Sequence, residues 1–264
     1  MHLPVSGLEI EFHLPCGSDD LALIEAGGNE IEQALAALTR LALAKAAATG
    51  RSPEEIDWRS LSVTDFECAL LGLRRFLEGD TITCLLRNRS HECSESMEMS
   101  FSISALLDDV SPRILRGVAK GSGKAQKFEL IASAGPVRFR LPTVSDQLAV
   151  QGKPEGGELL LNRCTGRVKL SKLEAARLER AMEALAPGVS REIEGICPSC
   201  EKAVKAILQV PRLVVEELMQ AAAGIFAEID LLASEYHWAE AAIVALPQRR
   251  RKAYAEKIRE RRGN

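Results

Sequence analysis

Cys197-Pro198-Ser199-Cys200 lies between two short runs of alternating character, and the whole chain can be read outward from it. Arg191 to Ile196 alternates loosely before it. After it, Val204, Ala206, Leu208 and Val210 fall on one side of a period of two, with Lys205 and Gln209 on the other. This pattern describes a β-hairpin with two thiols at its tip. Far upstream the same shape recurs: Ser90-His91-Glu92-Cys93 forms a tip, and Met97, Met99, Phe101 and Ile103 then alternate with Glu98, Ser100 and Ser102. Cys93 takes the place of Cys200, and Ser90 the place of Cys197.

The correspondence extends away from the hairpins. Gly7-Leu-Glu-Ile-Glu-Phe-His-Leu-Pro15 with Ser18-Asp19-Asp20-Leu21 is echoed by Gly135-Pro-Val-Arg-Phe-Arg-Leu-Pro142 with Ser145-Asp146-Gln147-Leu148. Each copy reads as a strand, a Leu-Pro stop, a Ser-Asp helix start, a helical segment and a cysteine-tipped hairpin. The proline ends the ladder for want of an N–H, and a Ser or Asp oxygen then caps the free amides of the next helix. The expected fold class is therefore α+β: two tandem similar modules, residues 1–110 and 128–210, joined by a linker at 111–127 and followed by a helical region, 211–264, with a basic tail.

Periodicity supplies the helices. Ile31, Leu35, Leu38 and Leu41 share one face of a segment running from Ile31 to Ala48. Ser62-Val-Thr-Asp65 opens another helix, with Phe66, Leu70, Leu73 and Leu77 on one stripe and a stop at Gly79. Ser171 to Ala186 is its counterpart in the second copy. From Pro211, an apolar seam of Val214, Leu218, Ala221, Ile225, Ile229, Leu232 and Tyr236 predicts one continuous helix of about six turns. Trp238 begins a short helix, and Pro247 introduces the basic terminal one. Lys120-Gly-Ser-Gly-Lys124 is a linker rather than a phosphate loop: Val118 stands where that loop needs glycine, and Ala125 where it needs Ser or Thr.

With 46% apolar and 27% charged residues, the 264-residue chain is an ordinary globular protein able to bury a real core. No stretch approaches the roughly 18 uncharged apolar residues of a membrane span. The first residues lack the basic-then-apolar order of a signal peptide, and seven cysteines without such a signal imply a reducing compartment. Charge is unevenly spread. Residues 248–264 hold eight basic residues against Glu256 and Glu260, a balance of +6, so with −3 overall the preceding residues carry −9. A basic end on an acidic body is suited to an acidic partner, which is a neighbouring protein, nucleic acid or its own body.

The cysteine pattern bears on metal. A four-ligand structural zinc site normally takes two Cys-x-x-Cys knuckles, each hairpin tip supplying two sulfurs. Here the second knuckle is intact and the first has Ser90 for one cysteine. A complete set would be Cys93, Cys197, Cys200 and His91, with Cys84 in reserve; the competing reading is a former zinc site kept as a packed hairpin pair, empty or partly filled. A redox role for Cys197 and Cys200 needs a helix start after the first thiol, and a strand follows instead. His2, His13, His91 and His237 join no Ser, His and Asp constellation, so no enzyme activity and no small-molecule substrate are expected. Arg249 to Lys252 could meet phosphates, but aromatics to stack bases make up only 4% of the chain, which argues against nucleic acid.

Three stretches carry a family resemblance. Leu3-Pro-Val-Ser-Gly-Leu-Glu-Ile-Glu-Phe12 with Ser18-Asp-Asp-Leu, the segment from Leu61 to Arg75, and Glu228 to Glu240 with Leu246-Pro-Gln-Arg-Arg-Arg251 resemble T-even-phage-type baseplate proteins of contractile tails and related injection systems. The resemblance covers most of the chain and rests on packing residues. It implies paired Cys-x-x-Cys hairpin tips, from which Ser90 departs. It also implies a non-enzymatic structural or assembly component of a baseplate, present in the bacterial cytoplasm during assembly, with other baseplate, hub or tail-tube proteins as partners. The alternatives are a zinc-ribbon-type nucleic-acid-binding protein and a tail assembly chaperone absent from the finished particle.

Overall fold

The computed structural model describes every residue except 46–54, 88–92, 94–95, 121–126, 133–134, 167–169 and 264. It is a mixed helix and strand protein whose small sheets are all antiparallel and whose C-terminal region is helical. Strand β1 (Ile10–Phe12) is followed by helices α1 (Gly17–Glu25) and α2 (Glu30–Leu41), then β2 (Ala42–Ala44), which pairs with β1. Helix α3 (Val63–Glu78) leads into the hairpin β3 (Thr81–Arg87) and β4 (Ser96–Ser102), and α4 (Ile103–Asp108) follows. A three-stranded meander comes next, β5 (Val118–Lys120), β6 (Lys127–Ala132) and β7 (Gly135–Arg140). Helices α5 (Val144–Val150), α6 (Gly156–Thr165) and α7 (Lys172–Leu185) precede the second hairpin, β8 (Arg191–Ile196) and β9 (Ala203–Leu208). The chain ends with α8 (Val210–Ala222), α9 (Ile225–Tyr236), α10 (Glu240–Val244) and α11 (Gln248–Gly263). No helix among the described residues is long and apolar enough to cross a membrane.

Helix α3 is the centre of the larger core. Its start is fixed by the Ser62 hydroxyl, which accepts from the Asp65 amide at 3.1 Å, and Phe66, Ala69, Leu70, Leu71 and Leu73 along it are fully buried. The second half of the chain reaches into the same core with Val144, Val189, Leu208, Val210, Val214 and Val215. Polar side chains on the first turns of α3 tie these parts together. The Glu67 carboxylate accepts from the Ser190 amide at 2.9 Å and from its hydroxyl at 2.6 Å, while the Val210 amide donates to that hydroxyl at 3.0 Å. Asp65 accepts from the amides of Val5 and Ser6, and Thr64 donates to the Pro187 carbonyl. A second core lies between β6, β7 and the helices α6 and α7, centred on Phe128, Val137, Phe139, Leu161 and Leu178.

Several sequence expectations require correction. The segment from Ile31 is no longer helical from Ala42, and residues 46–48 of it lie outside the described residues. Helix α2 ends at Leu41, because Ala42–Ala44 gains more from the β1 ladder than alanine gains from a further helical turn. The single helix from Pro211 to Tyr236 is two, α8 and α9, broken at Ala223 and Gly224; glycine is a poor helix former, and the two pieces bury different faces. Helix α8 packs on α1, α2 and α3, and α9 packs on α10 and α11. The linker at 111–127 contains β5, paired with β6, and its Gly-Ser-Gly stretch lies outside the described residues. Neither Ser18 nor Ser145 is the cap. The caps are Cys16 and Thr143, and Asp19 and Asp146, three residues on, each reach back to the cap amide, at 2.9 and 3.1 Å.

Two buried ionic groups anchor the outlying helices. Arg251 of α11, 1% exposed at its side chain, pairs with Asp20 of α1 and, at 2.6 Å, with Glu228 of α9. Gly17 makes room for it, since a Cβ there would come within 2.8 Å of its Nη1. Trp238 stacks on Tyr236 and meets the edge of Tyr254 of α11, with ring centroids 4.9 and 5.4 Å away. In the other half, buried Asp146 pairs with Arg140 and, at 2.8 Å, with Arg163. Burial opposes its charge, but Arg140, the Thr143 amide and Arg163 outweigh that and hold its carboxyl well below the usual carboxylate range.

Each anchor yields a prediction. Arg251→Met leaves Asp20 and Glu228 buried with no cation between them, so urea unfolding should show a loss of about 3–5 kcal/mol. For Asp146, a depressed folded-state pKa means its stabilisation is complete above the unfolded value of about 3.9 and is lost as pH falls below it. Asp146→Asn should therefore lower the melting temperature at neutral pH, and the gap from wild type should close as the solution is acidified below that value.

Candidate metal centre

The two hairpins face one another. In β3 and β4, Cys84 lies opposite Met99 and Leu86 opposite Met97, and these four side chains point to the second hairpin. In β8 and β9, Gly195 lies opposite Val204 and Ile193 opposite Ala206. Gly195 is required by the approach of the hairpins, because a Cβ there would stand 3.0 Å from the Met97 methyl carbon and 3.4 Å from the Met99 sulfur. A glycine inside a strand often marks such a contact. The shared interior is apolar and rich in sulfur, built from Leu86, Val204, Met97, Met99 and four cysteines.

The tip of the second hairpin is a tight knuckle. The Cys197 amide donates to the Lys202 carbonyl at 2.9 Å, and the Glu201 amide donates back to the Cys197 carbonyl at 2.8 Å. Glu201 sits in the left-handed region with φ 56°, which turns the chain sharply enough to bring Cys197 and Cys200 to one side. Cys93, from the tip of the first hairpin, meets them there. The three Sγ atoms lie within 4.8 Å of one another, and those of Cys93 and Cys197 are 3.8 Å apart.

This spacing identifies the chemistry that the group can perform. A disulfide needs sulfurs about 2.05 Å apart. Sulfurs held about 2.3 Å from a common tetrahedral zinc ion lie about 3.8 Å from each other, along a tetrahedral edge. Cys93, Cys197 and Cys200 thus form a group that can hold a metal ion, with Cys197 fully buried and the other two partly exposed. Three of the four residues expected from sequence come together; the fourth, His91, lies outside the described residues, as does Ser90. Cys84, the reserve candidate, is in the same apolar cluster, but its Sγ points at the Met99 carbonyl, 3.6 Å away, and burial pushes its thiol pKa up. Among the described residues the group has no fourth member.

The described histidines and two further buried cysteines have structural surroundings. The ring nitrogens of His2 and His13 meet main-chain carbonyls, and His237 takes the left-handed cap position at the end of α9. Cys68 and Cys164 are buried, and burial raises their thiols to about 12 and about 11. Sequence reasoning found the three thiols from their spacing but not Met97, Met99 and Gly195 as the surface that joins the hairpins; the glycine at mid-strand was the available signal.

No family model, curated protein or solved structure matches this chain.

Cobalt(II) reports thiolate coordination by an absorption band that a thiolate-free site lacks. Titrating the reduced protein should produce this band with saturation near one equivalent, and Cys93→Ser or Cys197→Ser should each remove most of it. A band that survives both substitutions would place the metal elsewhere.

Proposed function

We propose that the protein is a non-enzymatic structural or assembly component of a contractile phage-tail-like baseplate, whose two hairpins are stapled by a zinc ion at Cys93, Cys197 and Cys200. The observation that carries this reading is that the sulfurs come from two hairpins far apart in sequence and meet across a methionine-lined interior. An all-thiolate set against an apolar wall suits a structural ion, which joins elements rather than activating a substrate. Such an ion supplies on the order of 10 kcal/mol of binding free energy that becomes folding free energy. The baseplate assignment rests on the three stretches that resemble that family, and it makes baseplate, hub or tail-tube proteins the partners and the bacterial cytoplasm the place of assembly. The sequence echoes between residues 1–110 and 128–210 support two related modules that hold neighbouring subunits; the echoed strands are paired differently, β1 with the later β2 and β7 with the earlier β6.

The nucleic-acid alternative is disfavoured by where the basic residues go. Arg251 is buried against two carboxylates, Arg262 pairs with Glu235 at 2.5 Å, and Lys257 pairs with Glu260 at 2.8 Å. Three of the eight basic residues are held this way, and aromatics that could stack bases make up only 4% of the chain.

The test is to tag the protein in its source bacterium, isolate tail-like particles and measure both protein and zinc. Its presence in finished particles, with incorporation reduced in Cys197→Ser, is the expected result. Recovery only from unassembled intermediates would make it a chaperone, and absence from both would remove the baseplate reading.

A further inference from the structure

The Arg249-Arg250-Arg251-Lys252 run has an unexpected division of labour. Arg251 points inward and anchors α11, whereas Arg249 and Lys252 project from the first two turns of that helix over a groove of about 490 Å³. The groove crosses four elements of the fold. Its apolar surface comes from Leu14 after β1, Leu23 of α1, Leu77 of α3, and Val214 and Leu218 of α8. Leu14 retains 48% exposure, so this surface opens to solvent.

The groove's lining carries three cations, Arg74, Arg249 and Lys252, and three carboxylates, Asp20, Glu78 and Glu217, unevenly placed. Arg74 and Glu217, which both line it, neutralise each other at 2.9 Å, and Asp20 is held by Arg251. That leaves Glu78 on the α3 wall against Arg249 and Lys252 on the α11 wall. Among the described residues neither cation has a carboxylate within ion-pair distance; Lys252 donates to the Ala221 carbonyl at 3.0 Å and its charge also reaches Asp20. The buried Asp20–Arg251–Glu228 cluster fixes the turns from which both cations project, so their positions are set before anything binds.

We propose that this groove is a docking site for an acidic amphipathic segment of a partner protein, its apolar face laid on Leu14, Leu77 and Leu218 and its carboxylates beside Arg249 and Lys252. Helix-in-groove recognition uses this combination: apolar anchors provide the buried area, and charge on the rim fixes orientation and excludes competitors. Nucleic acid fits poorly, since the lining offers no aromatic side chain for base stacking. The proposal shares no residue with the thiolate site and stands independently of the baseplate reading.

The probe is a fluorescein-labelled synthetic helix of about four turns with leucines on one face and glutamates on the other; its counterpart carries lysines in place of the glutamates. Fluorescence anisotropy with the full chain should show the glutamate peptide binding at least about tenfold more tightly than the lysine peptide, with a difference that shrinks as salt is added. Arg249→Glu with Lys252→Glu should reverse that preference, and Leu14→Asp should weaken both peptides. All three positions are exposed enough for circular dichroism to verify an unchanged fold, and Cys197→Ser is the control expected to leave peptide preference intact. Equal binding of the two peptides, an unchanged preference in the double variant, or tighter binding of duplex DNA than of either peptide would each overturn the proposal. So would self-association of the chain that Leu14→Asp abolishes, since a second copy would then fill the groove.

Discussion

The architecture depends on the contact between Glu67 and Ser190. A carboxylate inside a core is expensive unless its oxygens are fully engaged, and burial does push the Glu67 carboxyl above its ordinary value. Ser190 meets this need with both its amide and its hydroxyl, and the hydroxyl in turn receives the Val210 amide at the start of α8. One side chain on α3 therefore fixes where the second hairpin begins and where the helix after it leaves. Neither end can slide without stranding a buried polar atom, so the apolar contacts of α8 with α1, α2 and α3 form in a single register.

Hairpin placement follows from that constraint. Strand β8 starts one residue after Ser190, so the position of Ser190 determines where Gly195 meets Met97 and where Cys197 meets Cys93. The thiol group is thus assembled by contacts far from it, and the large core would hold the hairpins near each other even before an ion arrived. This ordering separates the protein from small zinc domains, in which the metal replaces a core. Here an ion would tighten an arrangement that helix packing has already selected.

Local rules made much of this legible. Ser62 and Ser171 announced their helices because a hydroxyl followed three residues later by an acid is a capping pattern, and the hairpins were visible because one face of each is apolar. The three thiols were found from knuckle spacing. What escaped was decided by tertiary contact. Ala42–Ala44 has helical composition and becomes a strand because β1 lies beside it; Gly224 lies within an apolar seam that looked continuous because both of its halves are buried, though against different partners. Arg251 reads as one of four similar cations, and only the fold places it between Asp20 and Glu228, residues 231 and 23 positions away along the chain.

The aromatic stack at the C-terminal end has a practical consequence. The chain contains two tryptophans. Trp58 is 2% exposed within the α3 core, and Trp238 lies against Tyr236 and the edge of Tyr254. Each indole therefore belongs to a different packing unit, so the protein carries two intrinsic optical reporters. One follows the consolidation of the main core, and the other follows the seating of the last helix on its neighbours. Replacing either with phenylalanine would leave a single fluorophore for each event, allowing the separation of α11 from the body to be followed in time without attaching any external dye.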